Sequence, residues 1–320
     1  MRLIDAQAAR AALPFSRLIP ALRDLFVAGC EVPRRHVHEL QSGDGEVVTS
    51  LLMPAWQPGG CYGVKIVNIA PGNAAHGLPG LHSSYLLHET ATGVPLALID
   101  GNQITSRRTA AASALAASFL ARTDARHLLV VGAGRVAALL PEAYREVRPV
   151  DRVTVWARNA AAAASLAQTW RKAGMAATAA PDLATAVSEA DIVSCATLAT
   201  APLVLGRWLR PGSHLDLIGG FTPAMREADD DCFRGASLFV DTDEALAKSG
   251  DLLGPMSRGV FAANDVQARL DELCRGTHPG RRESDERTVF KSVGTALEDL
   301  AAATLAFTAV SGLSAVTSNS

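Results

Sequence analysis

Three basic residues stand where a cation needs an anion. Lys65 interrupts the apolar run Val64-Lys65-Ile66-Val67, and an ammonium buried there is strongly unfavourable without a negative partner. Arg108 lies in Arg107-Arg108-Thr109, which opens an alanine-rich helical stretch. Its guanidinium and the helix N-terminus are expected to hold an anion together. Arg35 follows Pro33 in a stretch with no other marked feature. Taken singly, each of the three also fits a surface charge or a structural ion pair.

A second set is read from Val130-Val131-Gly132-Ala133-Gly134-Arg135-Val136-Ala137. An apolar strand, a glycine turn and the start of a helix point backbone N–H groups at a phosphate. Gly132 permits the tight turn, Gly134 lets the backbone approach a pyrophosphate, and Ala137 is small enough for the helix to sit on the sheet. In a strand–turn–helix context, this pattern predicts dinucleotide binding through Gly132, Ala133, Gly134, Arg135, Val136 and Ala137. The next strand ends in Ala157-Arg158-Asn159, without the acid that binds the ribose hydroxyls of NAD. Arg158 can pair with a 2′-phosphate and Asn159 can donate a further hydrogen bond, so NADP(H) is expected over NAD(H). Arg158 also fits a solvated loop charge. Thr197, after the fourth strand of this region, either meets the nicotinamide ribose or bonds locally to backbone.

The elements that must position these residues fall into two kinds. In residues 1–120, helical spacing runs over 8–28 with breaks at Pro14 and Pro20. Strands are expected at 46–53, ending at Pro54, and at 63–69, 85–88 and 95–100, with a hairpin turn at 89–93. A helix follows over 105–120. From 125 to 292 strands are expected at 127–131, 152–157, 175–179, 191–196, 214–218 and 237–240. Helices are expected at 135–145, 160–173, 183–190, 205–209 and 225–232. This alternation predicts an α/β fold with a doubly wound parallel sheet of the Rossmann kind. Residues 289–316 read as one long helix with no strand, packing back on the first domain.

The chain has 320 residues, 48% hydrophobic and 19% charged, which suits two domains of a soluble enzyme. A formal net charge of −2 suggests neither nucleic acid nor an anionic membrane as partner. The N-terminus lacks the apolar core of a signal peptide, and the weakly polar stretches 109–121 and 301–316 fall short of a membrane span. Cys30, Cys61, Cys195, Cys232 and Cys274 are odd in number and form no CxxC pair. No disulfide framework or zinc site is expected, and the chain reads as cytoplasmic. His36, His38, His76, His82 and His88 show no ligand spacing with carboxylates, so no metal is expected. His36 and His38 are expected to face solvent from a strand, and residues 317–320 to form a frayed tail.

The run Asp100-Gly101-Asn102-Gln103-Ile104-Thr105-Ser106-Arg107-Arg108-Thr109-Ala110-Ala111 resembles the signature of the ornithine cyclodeaminase/mu-crystallin family. So do Val289-Phe290-Lys291-Ser292-Val293-Gly294 followed by Glu298-Asp299, Ser194-Cys195-Ala196-Thr197-Leu198-Ala199-Thr200, Arg210-Pro211-Gly212-Ser213-His214 and Pro223-Ala224-Met225-Arg226-Glu227. The resemblance runs in order from about residue 30 to 305. It implies a discontinuous α+β substrate-binding and dimerisation domain (1–124 and 293–320), a Rossmann domain (125–292), a homodimer and an active site in the cleft between the domains. It also implies that Arg35, Lys65 and Arg108 bind the carboxylate of a small imino or amino acid, with Lys65 and Arg108 as the catalytic residues.

Three positions depart from the cyclodeaminase pattern that the resemblance supplies. Phe221 and Met225 stand where a catalytic aspartate and a lysine are expected, and Leu51 where a glutamate precedes the Met53-Pro54 pair. Cyclising ornithine needs a carboxylate to gather amines and move protons, a contribution of about 10²–10⁴ in rate. Phe221 supplies neither and suits a substrate with an apolar flank. The expected activity is therefore NADPH-dependent reduction of a cyclic ketimine carboxylate such as Δ1-pyrroline-2-carboxylate or Δ1-piperideine-2-carboxylate. The alternatives are NAD-dependent ornithine cyclodeamination, an alanine dehydrogenase-like or opine-type imino acid reductase, and a mu-crystallin-like ligand-binding protein without turnover.

Overall fold

The structure, a computed structural model, describes residues 1–41 and 46–312. The chain divides into two compact units: Met1–Arg108 with the segment from Thr295 onward, and Thr109–Gly294. Residues 109–124, grouped from sequence with the first domain, fall in the second unit.

In the first unit, β1 (Arg2–Ile4) leads to α1 (Ala6–Ala12) and α2 (Phe15–Ala28). Asp5 caps α1 by accepting from the Ala8 N–H at 2.8 Å. Of the two prolines expected to interrupt the helical stretch, Pro14 separates the helices as the N-cap of α2, whereas Pro20 lies inside α2. A six-stranded sheet follows: β2 (His36–Gln41), β3 (Val47–Trp56), β4 (Cys61–Ile69), β5 (Leu81–Glu89) and β6 (Pro95–Asp100) join β1 in the order β1-β6-β5-β4-β3-β2. All pairs are antiparallel except β1 with β6. The 89–93 turn joins β5 and β6, with Gly93 at φ 71° donating to Glu89 O.

Pro54 does not end its strand. Trp56 donates to Glu31 O on the β2 side of β3, and Pro54, two residues earlier, turns its nitrogen the same way. Pairing with β2 reaches only to Leu52, so the missing N–H of Pro54 costs no ladder bond. His36 and His38 lie on β2 with exposed, stacked rings.

Helix α3 (Gly101–Leu120) begins directly after β6, four residues before the expected start. Asp100 caps it by accepting from the Gln103 N–H at 2.8 Å. The boundary between the units, at Arg108/Thr109, lies inside this helix.

The second unit contains β7 (His127–Val131), α4 (Leu140–Arg145), β8 (Arg152–Trp156), α5 (Ala160–Lys172), β9 (Ala177–Ala179), α6 (Leu183–Glu189), β10 (Ile192–Cys195) and β11 (His214–Leu217). It continues with β12 (Ser237–Val240), α7 (Glu244–Lys248), α8 (Gly250–Ser257), β13 (Val266–Arg269), α9 (Leu270–Arg275) and β14 (Thr288–Lys291). The strands form one parallel sheet in the order β9-β8-β7-β10-β11-β14-β12-β13. Its first five strands follow the 3-2-1-4-5 order of a dinucleotide-binding fold. The strands are largely buried, as a parallel sheet covered on both faces requires.

The uninterrupted helix expected over 289–316 does not form. Thr288–Lys291 is a strand seated between β11 and β12, and α10 (Ala296–Ser311) starts only after Gly294 at φ 76° and the Thr295 cap. A β-branched and aromatic tetrapeptide fills a slot with ladder partners on both edges, and that tertiary opportunity outweighs helical continuation. The helix expected over 135–145 is a 3-10 turn (Ala137–Leu139) followed by α4, with Pro141 in the first turn of α4. The helices expected at 205–209 and 225–232 are 3-10 turns at Gly206–Trp208 and Asp230–Cys232. Helix α10 packs on α1, α2, β3 and β4 of the first unit. The part of its expected span beyond residue 312, and the tail at 317–320, lie outside the described residues. Among the described residues, no helix is long and apolar enough to cross a membrane.

Candidate functional site

In the first unit, strand register builds a charged cluster around Lys65. Met53, Lys65, Tyr85 and Ile99 form one row across β3, β4, β5 and β6, and all four are buried. Lys65 Nζ meets Asp299 Oδ2 at 2.7 Å. Arg108 donates from Nε to Asp299 Oδ1 at 2.9 Å and from Nη1 to Glu298 Oε2 at 2.6 Å. Glu298 and Asp299 open α10, where the helix dipole favours negative charge. The helix-terminus contribution expected of α3 therefore comes from α10. Arg108 lies seven residues beyond Gly101, about 10 Å along α3, and is too far into the helix to share its N-terminus.

Two cations and two carboxylates balance, and burial shapes their protonation. Burial pulls Lys65 down to about 8; Asp299 opposes that fall and Arg108 adds to it. Burial acts to raise Asp299, yet Lys65 and Arg108 hold its carboxyl below the usual range. Arg108 Nη2 has no partner among the described residues. Arg107 does different work. It donates from Nε to Leu13 O at 2.7 Å and covers the Phe15 ring at 4.3 Å, so it ties helices together. Arg35 is half-buried immediately before β2, one residue ahead of the His36–Leu52 pair. The acids Glu298 and Asp299 were not assigned a role from sequence. Their signal was an adjacent acid pair opening an otherwise apolar helix.

In the second unit, the turn after β7 has the features of an anion cradle. Gly132 has φ 120°, and a Cβ there would lie 2.6 Å from Ala196 O. A Cβ on Gly134 would meet nothing within 4 Å, so space is open on that side. Among the described residues, the N–H groups of Ala133, Gly134, Arg135 and Val136 donate to no acceptor. Gly134 and Arg135 are exposed while Ala137 is buried against the sheet. Unpaired donors around open space fit a pyrophosphate. After β8, Ala157 is half-buried and Arg158 is exposed without an ion pair among the described residues. Asn159 caps α5, its Oδ1 accepting from Ala162 N–H at 3.1 Å, which leaves Nδ2 as the free donor.

Thr197 is already engaged. Its N–H and hydroxyl both donate to Glu227 Oε1 at 2.7 Å, and its Oγ1 accepts from Ala199 N–H. Phe221 is 39% exposed in the loop after β11. Met225 is half-buried in the same loop, and Leu51 sits opposite Val67 on β3.

The profile of the ornithine cyclodeaminase/mu-crystallin family matches residues 21–313. The chain belongs to this family. A relative named Delta(1)-pyrroline-2-carboxylate reductase, from Paracoccus denitrificans, is 44% identical over 254 residues, covering 79% of this chain and 80% of the relative. The solved Delta(1)-pyrroline-2-carboxylate reductase of Thermococcus litoralis, in complex with NADH and L-proline, superposes with a TM-score of 0.91 at 33% identity, covering 98% of each chain. An archaeal alanine dehydrogenase dimer with bound NAD has a TM-score of 0.88 at 27% identity, covering 98% of this chain and 97% of that one.

Proposed function

We propose that this chain reduces cyclic ketimine carboxylates of the Δ1-pyrroline-2-carboxylate type, with NADP(H) preferred over NAD(H). The observation that carries the reading is the cluster of Lys65, Arg108, Glu298 and Asp299. Arg108 Nη2 is left over from its ion pairs, and the charges of these four groups balance. A protonated ketimine carboxylate is itself a zwitterion, and it adds no net charge to such a cluster. The names of the similar reductases agree with this substrate class.

The dinucleotide supplies a hydride. Arg108 holds the substrate carboxylate through its remaining terminal nitrogen, with Arg35 as a further cation for that group. Lys65, near 8, is mostly protonated at neutral pH and gives up a proton at small cost, so it or a water it orients serves the imine nitrogen. Phe221 presents an apolar face to the substrate ring. The N–H groups from Ala133 to Val136 hold the pyrophosphate. Arg158 and Asn159 Nδ2 hold the 2′-phosphate, and Ala157 leaves room for it. Thr197 lines the nicotinamide end. We further propose a homodimer: β2 is an exposed sheet edge carrying Val37 and Leu40, a surface that proteins cover or blunt. The five free cysteines fit the reducing cytoplasm.

The test is turnover of Δ1-pyrroline-2-carboxylate and Δ1-piperideine-2-carboxylate with NADPH and with NADH, beside ornithine with NAD. Cofactor oxidation with formation of the cyclic amino acid is expected, and no ammonia from ornithine. Arg158→Ala is expected to raise the KM for NADPH by about tenfold and to leave that for NADH unchanged, as loss of one charged contact predicts. Ammonia release from ornithine, or reduction that depends on added amine, would overturn the proposal.

A further inference from the structure

We propose that Glu227 is a positioning residue for the nicotinamide end of the dinucleotide, tying the loops after β10 and β11 into one floor; this rests on the dinucleotide reading above. One buried carboxylate receives three donors from two loops. Oε1 accepts from the N–H and hydroxyl of Thr197, each at 2.7 Å, and Oε2 accepts from the Gly219 N–H at 2.8 Å. Such charge-assisted bonds are stronger than neutral ones and set the spacing of the two loops.

Glu227 is itself held from behind. Its N–H donates to Asp251 Oδ1 at 2.7 Å, and the Ala228 N–H reaches the same oxygen at 3.2 Å. Asp251 Oδ2 lies 3.3 Å from Lys291 Nζ on β14, and both side chains are fully buried. The Glu227 carbonyl accepts from the N–H groups of Leu203 and Val204. Side chain and backbone are therefore both fixed. Two glycines close the packing. A Cβ on Gly219 would fall 1.9 Å from Thr197 O, and one on Gly220 would fall 2.3 Å from Asp251 Oδ2.

The outer side of this floor is apolar. Leu198, one residue beyond Thr197, and Phe221, two beyond Gly219, are 68% and 39% exposed. Strand β10 lies between β7 and β11, and Gly132 approaches Ala196 closely. In this strand order a dinucleotide crosses the carboxyl ends of the strands. With its phosphates at the turn after β7, the next groups along are those after β10 and β11. Of the charged groups facing Glu227, Asp251 adds to the rise that burial causes in its carboxyl and Lys291 opposes it; the carboxyl stands at about 7. A mixed population at neutral pH would loosen one tie in part of the molecules.

Glu227→Gln keeps the volume and turns one acceptor into a donor, so only one of the two loops stays tied. The experiment measures ADP-ribose and NADPH affinities and the emission of bound NADPH, none of which needs turnover. In Glu227→Gln, ADP-ribose is expected to bind within about twofold of wild type, while NADPH loses about tenfold and its bound emission loses its enhancement. Emission and NADPH affinity equal to wild type would overturn the proposal. So would a parallel loss of ADP-ribose affinity, the mark of a merely structural residue. If Glu227→Gln does not fold, Thr197→Val, which removes only the hydroxyl tie, is expected to shift the emission in the same direction, and unchanged emission there overturns it. Wild-type protein that binds neither NADPH nor ADP-ribose would overturn the dinucleotide reading itself.

Discussion

Arg107 and Arg108 are adjacent and identical in type, yet one ties helices together and the other joins the charged cluster. Successive helical positions point about 100° apart, so two neighbours on one helix meet different surroundings. Lys65 was legible because an ammonium in an apolar strand needs a partner. The partner was not, because Asp299 lies 234 residues away and only the docking of α10 on β4 brings it near. Asp299 accepts from both cations, so Asp299→Asn leaves two buried charges undercompensated. A loss of about 3–5 kcal/mol in unfolding free energy is expected by denaturant titration. The same substitution removes the group that holds Lys65 up near 8. If a protonated Lys65 serves the reaction, activity falls as pH rises through about 8 in wild type, and in Asp299→Asn that limb moves to lower pH. A limb that stays in place in the variant would remove Lys65 from the proton path.

The glycine turn is the element that sequence described best, because its strand, turn and helix start are written in consecutive residues. Gly132 and Gly134 nevertheless serve different ends. Gly132 is required by its positive φ and by the approach of Ala196, whereas Gly134 borders open space. Gly132→Ala is expected to cost about 1–3 kcal/mol of stability through backbone strain, visible as a lower Tm. Gly134→Ala is expected to leave Tm unchanged and, on the proposed phosphate site, still weaken NADPH binding, since its Cβ enters the open space beside the turn. Equal Tm losses in the two variants would refute this division of labour. The misread element is β14. Its residues carry the strand propensity of Thr288, Val289 and Phe290, but a tetrapeptide joined to a long apolar segment has too short a period to separate from helix. Its place inside the sheet is set by ladder partners on both edges, β11 and β12. The 3-10 turn ahead of α4 was also beyond local pattern, as helix ends shift with the packing around them.

Across the whole molecule, the two units carry buried carboxylates of opposite acid response. In the first, Asp299 is held below its usual range, so its contribution is present above the ordinary Asp pKa and is lost as pH falls through the folded value. In the second, Asp216 accepts from the hydroxyls of Tyr144, Ser194 and Ser113, yet burial lifts it from 3.8 to about 6. Its contribution is present below pH 3.8 and is lost as pH rises through about 6. Wild type is therefore expected to gain up to about 3 kcal/mol over Asp216→Asn at pH 4 relative to pH 7, read from the difference of their unfolding curves. A pH-independent difference would refute the assignment. By itself the sequence determined the alternating α/β pattern, the glycine turn after the first strand of the second unit, the missing acid before Arg158 and the cations that need anions. Each is written in neighbouring residues whose spacing maps directly onto helix or strand period. The tertiary structure alone decided that Glu298 and Asp299 hold Lys65 and Arg108, that β14 completes the parallel sheet, and that Glu227 ties two loops. Those contacts join segments far apart in the chain, and strand register and helix docking, not local propensity, bring them within hydrogen-bonding reach.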